Sequence, residues 1–142
     1  MKRLTTLLLL FIVSILMSSQ ALAQEFQTLF NGKDLSGWKG KSEFWTVKDG
    51  AIFGQTSKEK PTKGNTFLVW QGGDVADFVF KAKVRFQGNN SGVQYRSELV
   101  GKPEDFVVKG YQADLHPKAE YFGMLYAEKW RGIVAQRFQR VI

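Results

Sequence analysis

The sequence predicts an all-β domain, and two features of the chain support this fold class. After residue 24, short runs of alternating apolar and polar residues recur between Gly, Asn, Asp and Pro, whereas apolar stretches with a helical period are scarce. The 12 Phe, 4 Trp and 4 Tyr residues are spread along the chain and supply the side chains for a core. Because the chain has no Cys, burial of these side chains must stabilise the fold without disulfides.

The N-terminus has the pattern of a removable signal peptide. The basic pair Lys2-Arg3 precedes an apolar run over residues 4–17, and small residues follow at Ala21-Leu22-Ala23. A membrane anchor is the alternative, but the run is short for a span of roughly 20 residues. We therefore expect cleavage after residues 1–23, with residues 24–142 exported to the periplasm or outside a bacterial cell and no stable membrane insertion afterwards.

Charge and length limit the class of partner. The chain has 20 Lys and Arg residues against 13 Asp and Glu residues, a formal charge of +7 that falls by two when the signal peptide leaves. The basic residues form no run, and export separates the protein from nucleic acid, so we expect no nucleic-acid partner. The remaining length suits one modest domain.

The first half of the mature chain contains a strand, a turn and a hairpin by pattern. Phe26 to Phe30 is predicted as the first strand, closed by the turn cluster Asn31-Gly32-Lys33-Asp34. Phe44 to Val47 and Ala51 to Gly54 flank Lys48-Asp49-Gly50, and Asp-Gly between two β-rich runs predicts a hairpin.

The rest of the mature chain is predicted to contain most of the sheet. Residues 56–65 form an exposed loop, and Phe78 to Phe86 alternates most clearly, with apolar side chains on one face and Lys and Arg on the other. A turn at residues 88–92 leads into the next strand. The later strands are predicted at Val93–Leu99, Gly110–His116, Tyr121–Ala127 and Ile133–Phe138.

Two of these strands carry polar triplets. Regular alternation places Gln94, Arg96 and Glu98 on one face of the first strand, and Gln112, Asp114 and His116 on one face of the second. If both triplets line one exposed surface, their amides, carboxylates, guanidinium and imidazole suit the hydroxyl groups of a sugar, whose C–H faces pack on Trp or Tyr.

Simpler interpretations of the same residues stay open. Arg96 and Glu98 could form a surface ion pair. His116 precedes Pro117 at a strand end, so it could cap a loop, and a lone His is a poor metal signal. If the reaction removed a proton beside a ketone, it would need a base, which Glu98, Asp114 or His116 could supply. Arg96 or a bound cation could then stabilise the enolate that forms.

Five segments in order resemble one family. They are Leu29–Trp38 (LFNGKDLSGW), Trp45–Gly50 (WTVKDG), Asn90–Arg96 (NSGVQYR), Gly110–Asp114 (GYQAD), and Gly123–Tyr126 (GMLY) followed by Arg131-Gly132. Over residues 26–138 the chain resembles the 3-keto-disaccharide hydrolase domain, also described as a 3-keto-glucoside 1,2-lyase and 3-keto-2-hydroxy-glucal hydratase domain.

The resemblance implies a concanavalin-like jelly-roll sandwich and a carbohydrate substrate cleaved by C2 deprotonation, elimination at C1 and hydration. It also allows a divalent metal. Carried over by position, the catalytic candidates are Glu98, Asp114 and Arg96, and the substrate-binding candidates are Gln94, Gln112, His116, Tyr126 and Arg131. Because relatives continue with further strands, we expect residues 24–142 to be a partial domain, incomplete at the C-terminus. The alternatives are a non-catalytic carbohydrate-binding module and an inactive fragment of the enzyme.

Overall fold

The computed structural model describes residues 25–140, so the predicted signal peptide lies outside the described residues. Within them, the strands are β1 (Trp38–Lys39), β2 (Trp45–Lys48), β3 (Ala51–Gly54), β4 (Val69–Trp70), β5 (Ser91–Leu99), β6 (Val108–Leu115), β7 (Leu125–Glu128) and β8 (Gly132–Ala135). The helical content is a 3-10 turn at Pro103–Asp105. No helix in this part of the chain is long and apolar enough to cross a membrane.

The strands form antiparallel sheets throughout. β1 pairs with β4, β2 pairs with β3, and a four-stranded sheet has the order β5-β6-β7-β8. This all-β arrangement is consistent with a jelly-roll-like sandwich and confirms the predicted fold class.

The predicted hairpin at Asp49-Gly50 is confirmed. Lys48 lies opposite Ala51 and Trp45 lies opposite Gly54, so the connection has two residues. Asp49 and Gly50 both have positive φ, 52° and 69°. Positive φ at both central positions is the requirement of a type I′ turn, whose twist matches that of the strands it joins.

The β5–β6 pair contains a bulge that the alternation did not predict. Tyr95 lies opposite Tyr111 and Glu98 lies opposite Lys109, so two residues, Arg96 and Ser97, oppose the single residue Gly110. Arg96 takes a positive φ of 47° at the bulge. An extra residue in one strand reverses the alternation beyond it, which changes the face that Glu98 occupies.

Two predicted strands are wrong. Phe78 to Phe86 forms no strand, and Phe78, Val79, Phe80 and Val84 are exposed. Alternation describes only side chains, whereas a strand needs a neighbouring backbone for its hydrogen bonds, and this segment has no strand partner among residues 25–140. Phe26 to Phe30 is also irregular, and it is held by the Trp38 indole N–H, which donates to the Leu29 carbonyl at 2.8 Å.

The buried part of the described chain mixes apolar and polar groups. The buried apolar residues are Phe44, Val108, Met124, Ala127 and Ala135. Gln112, Asp114 and Glu128 are buried with them. Buried polar side chains need hydrogen-bond partners, so these three residues mark the buried region in which polar groups interact.

The predicted turn at residues 31–34 is present and gives a pH prediction. Hydrogen bonds from Ser36 and Asn31 lower the pKa of Asp34 from 3.8 to about 2. Because the folded pKa lies below the unfolded one, the stabilisation from Asp34 is complete above pH 3.8 and is lost as the pH falls towards 2. A carboxyl NMR titration should give a midpoint near 2, and Ser36→Ala should move it upwards. A wild-type midpoint of 3.8 would contradict this.

Candidate functional site

The sheet register brings one set of polar side chains onto a common surface. Gly92 lies opposite Asp114, Gln94 lies opposite Gln112, and Gln112 lies opposite Tyr126 on the next strand. Directly opposed residues in a sheet project from the same face. We call this surface, formed by Gln94, Gln112, Asp114, Tyr126 and Glu128, the polar face.

A chain of hydrogen bonds runs along the polar face towards Asp114. The single hydroxyl hydrogen of Ser97 is shared between Oε1 of Gln94, at 2.9 Å, and the Tyr95 carbonyl, at 3.0 Å. Nε2 of Gln94 donates to Oε1 of Gln112 at 3.2 Å. Nε2 of Gln112 then donates to Oδ1 of Asp114. The structure thus joins three of the predicted site residues, Gln94, Gln112 and Asp114, in one network.

Asp114 is the most deeply placed member of this network. Its relative exposure is 1%, and Oδ2 is buried with no hydrogen-bond partner among the described residues. Its backbone is fixed from both sides, since its N–H donates to Met124 and its carbonyl accepts from Gly123 at 2.7 Å. A buried carboxylate oxygen without a partner is costly, which makes it a candidate for a functional role.

Glu98 and Arg96 do not share the polar face, and the expectation of a single polar triplet on β5 was wrong. The bulge pairs Glu98 with Lys109, whose neighbours Tyr111 and Ala113 occupy the other face of β6. Arg96 donates to the Ala76 carbonyl at 3.0 Å and to Oδ1 of Asp77 at 3.4 Å. The physical reason is the residue inserted at the bulge, which reverses the side-chain alternation after Tyr95.

The remaining predicted binding residues have separate positions. His116 caps a turn, as Nδ1 accepts the Lys118 backbone N–H at 3.1 Å and its ring packs edge-on against Tyr121. Arg131 lies over the Trp130 ring, 4.1 Å from its centroid, and donates to the Tyr111 hydroxyl at 3.2 Å. Their roles in substrate binding stay predictions.

The opposite face of the sheet carries a row of aromatic rings. The centroids of Phe78 and Tyr95 are 6.5 Å apart, those of Tyr95 and Tyr111 are 6.1 Å apart, and those of Tyr111 and Trp130 are 5.9 Å apart. Burial, together with the neighbouring Tyr111, raises the pKa of Tyr95. Trp130 is 56% exposed, so this row, which we call the aromatic row, ends on solvent-accessible surface.

Glu128 belongs to the polar face although the sequence reasoning passed over it. It is buried, it lies opposite Gly110, and Oε2 accepts the Nδ2 amide of Asn65 at 2.9 Å. The signal was present, because Glu128 follows Tyr126 by two residues and so must share its face in a strand. The predicted strand ended at Ala127, one residue too early.

Neither of two open clefts lies at the polar face. One of about 460 Å³ lies beside the β2–β3 hairpin and includes Trp45, Phe53 and Glu59. The other, of about 390 Å³, lies between Asp77, Phe78, Tyr95 and Arg96. Asp114 lines neither cleft, so the position of the candidate site rests on the buried hydrogen-bond network around Asp114 and not on a surface cavity.

The donor set does not fit the divalent metal that the resemblance allows. Residues 25–140 contain no group of three or more His, Cys, Asp or Glu side chains able to hold a metal ion together. The side chain that contacts Asp114 is the Gln112 amide, which presents an N–H to it. The Gln112 oxygen accepts from Gln94, so the amide presents to Asp114 its nitrogen, which does not coordinate a cation.

Comparison with known protein families identifies the family of the chain. The family model of the 3-keto-alpha-glucoside-1,2-lyase-like domain matches residues 25–140. The chain belongs to this family. The match covers the four-stranded sheet and the segments that resembled the family in sequence, so the recognition made from those segments is confirmed. Searches of the curated proteins and of the solved structures find no match to the chain.

Proposed function

We propose that this chain is an exported enzyme domain that cleaves 3-keto-glucosides or 3-keto-disaccharides, with Asp114 as the general base. Family membership supports an enzyme-like domain related to 3-keto-glycosides. The observation that carries the choice of residue is the buried Asp114 carboxylate, which has one oxygen bound to Gln112 and the other without a partner among residues 25–140. The oxygen without a hydrogen bond can accept a proton once a substrate reaches it.

The reaction we propose proceeds in two stages. The ketone at C3 acidifies the C2 proton, which moves to Oδ2 of Asp114, and the electron pair of the C2–H bond forms a C1=C2 double bond as the C1–O bond breaks. The leaving group takes the electron pair of that bond and the proton from Asp114, which gives an alcohol and restores the carboxylate. Water then adds across the double bond, its oxygen to C1 and a proton to C2, which gives the free 3-keto sugar.

The other residues of the polar face have supporting parts in this proposal. Tyr126, opposite Gln112, brings a phenol that can donate to or accept from a sugar hydroxyl. Because Asp114 is almost completely buried, the sugar must displace the side chains that cover it. Glu98 and Arg96 make their contacts elsewhere, so Asp114 is preferred to Glu98 as the base.

The direct test uses the full chain and a chromogenic 3-keto-glucoside. We expect release of the aglycone only when the substrate carries the 3-keto group, since the unmodified glucoside has no acidic C2 proton. In D₂O the sugar product should carry deuterium at C2, because hydration delivers a solvent proton there. Release from the unmodified glucoside at a similar rate would contradict the elimination mechanism.

Export is part of the proposal and rests on the pattern of residues 1–23. Expression in a bacterial host should give a mature protein in the periplasm or the medium whose N-terminus begins at residue 24. A cytoplasmic product that retains Met1 would count against export without affecting the proposed reaction.

A second candidate is a carbohydrate-binding module, which the aromatic row favours. Exposed Trp130 and the neighbouring Tyr111 offer rings on which a sugar can pack, with Arg131 beside them as a hydrogen-bond donor. Such a module would bind glycosides without turnover, and Trp130→Ala would abolish the binding. The enzyme should instead keep ligand affinity when its base is removed.

A further inference from the structure

We infer that Gln112 is a positioning residue for Asp114, aligned by Gln94 and Ser97 and given room by Gly92. This inference rests on the proposed function, because it concerns how the base is held. Beyond the Gln112–Asp114 hydrogen bond, it uses the two hydrogen bonds that precede that bond and the space that Gly92 leaves for the Gln112 side chain.

The three hydrogen bonds all run in the same direction. Ser97 donates to Gln94, Gln94 donates to Gln112, and Gln112 donates to Asp114. Each amide accepts on its oxygen and donates from its nitrogen, an arrangement in which consecutive bonds polarise one another. The last bond ends on a carboxylate, where a donor is held more strongly than by a neutral acceptor.

Gly92 leaves the space that the Gln112 side chain occupies. A Cβ atom at residue 92 would lie 2.5 Å from both Cγ and Cδ of Gln112 and 2.9 Å from its Nε2. These distances are far below van der Waals contact, so any larger residue must push the Gln112 amide aside. Because Gly92 lies directly opposite Asp114, the Gln112 side chain crosses this gap to reach the carboxylate.

The two carboxylate oxygens of Asp114 therefore have different roles. Oδ1 is occupied by the Gln112 amide, which fixes the plane of the carboxylate. Oδ2, which is buried without a hydrogen-bond partner among the described residues, is left to receive the C2 proton once the sugar has displaced the side chains that cover it. Positioning of this kind affects the rate of the chemical step, since a misplacement of about 1 Å at a reacting group can cost about 100-fold.

Two variants test the inference through kinetics. Gln112→Met keeps the length of the side chain and removes the donor, whereas Gly92→Ala keeps Gln112 and displaces it. Each should lower kcat about 100-fold with little change in KM. Gln71→Met is the control, because the Gln71 side-chain amide donates to the Val69 carbonyl two residues away, outside the polar face, and this variant should match the wild type.

A second measurement does not depend on activity. In ¹⁵N NMR spectra the Gln112 side-chain amide, assigned by its loss in Gln112→Met, should exchange slowly with water and shift in Asp114→Asn and Ser97→Ala. Exchange as fast as that of Gln71, without such shifts, would overturn the inference. Normal kcat in Gln112→Met alongside an inactive Asp114→Asn would also overturn it and leave the proposed function intact. Activity in Asp114→Asn would instead remove Asp114 as the base.

Discussion

Asp114→Asn is expected to lower kcat by about 10²- to 10⁴-fold, the usual contribution of a general base. Asparagine has nearly the same shape and can still accept the Gln112 N–H through its carbonyl oxygen, so the network and the fold should persist. Its amide cannot take the C2 proton. KM should therefore change little, and steady-state kinetics with a chromogenic 3-keto-glucoside would measure both constants.

Glu98→Gln is the matched control for this substitution. It makes the same chemical change on the same strand pair, but beyond the bulge and on the other face of the sheet. We expect activity close to that of the wild type. If Glu98→Gln were inactive and Asp114→Asn active, Glu98 would be the base and the site would lie on the face of the aromatic row.

The parts of the fold that were predictable are those set by local chemistry. The Asp49-Gly50 hairpin formed as expected because positive φ at two adjacent positions is cheap for Asp and Gly and selects one turn type. The strand at β6 was also found, since its alternation is unbroken and its far end meets Pro117. Local residue preference was sufficient in both cases.

The parts that failed depend on partners distant in sequence. Phe78 to Phe86 has the clearest alternation in the chain and yet forms no strand, because period two records side-chain polarity and not the presence of a neighbouring backbone. The bulge at Arg96 could not be predicted from the sequence for a similar reason. Nothing local to β5 indicates that it must pass a glycine, Gly110, on the adjacent strand.

As a result, the sequence predicted only some of the residues of the candidate site. Gln94 and the two β6 residues came together because no irregularity lies between them in the register. Glu98 and Arg96 were lost at the bulge, and Glu128 was missed because the predicted strand ended one residue early. In a sheet, a single inserted residue decides which carboxylate belongs to a site.

Gly110→Ala is expected to destabilise the protein by about 3 kcal/mol, combining overpacking with an unfavourable backbone angle. Gly110 has a φ of 155°, and a Cβ atom there would lie 2.5 Å from the Cα of Ser97 and 2.7 Å from the Arg96 carbonyl oxygen. These are backbone atoms of the bulge, which cannot rotate away as a side chain can. Urea unfolding followed by tryptophan fluorescence would measure the loss.

Gly64→Ala provides the control, because it makes the same substitution where no atom of the described part of the chain lies within 4 Å, and it should change stability by no more than about 0.5 kcal/mol. Equal stability of the two variants would mean that β5 and β6 do not approach as closely as the bulge requires. The bulge also determines which face Glu98 occupies, since a register without it would move Glu98 onto the polar face. A folded Gly110→Ala protein that had become sensitive to Glu98→Gln would show that this glycine selects which carboxylate serves as the base.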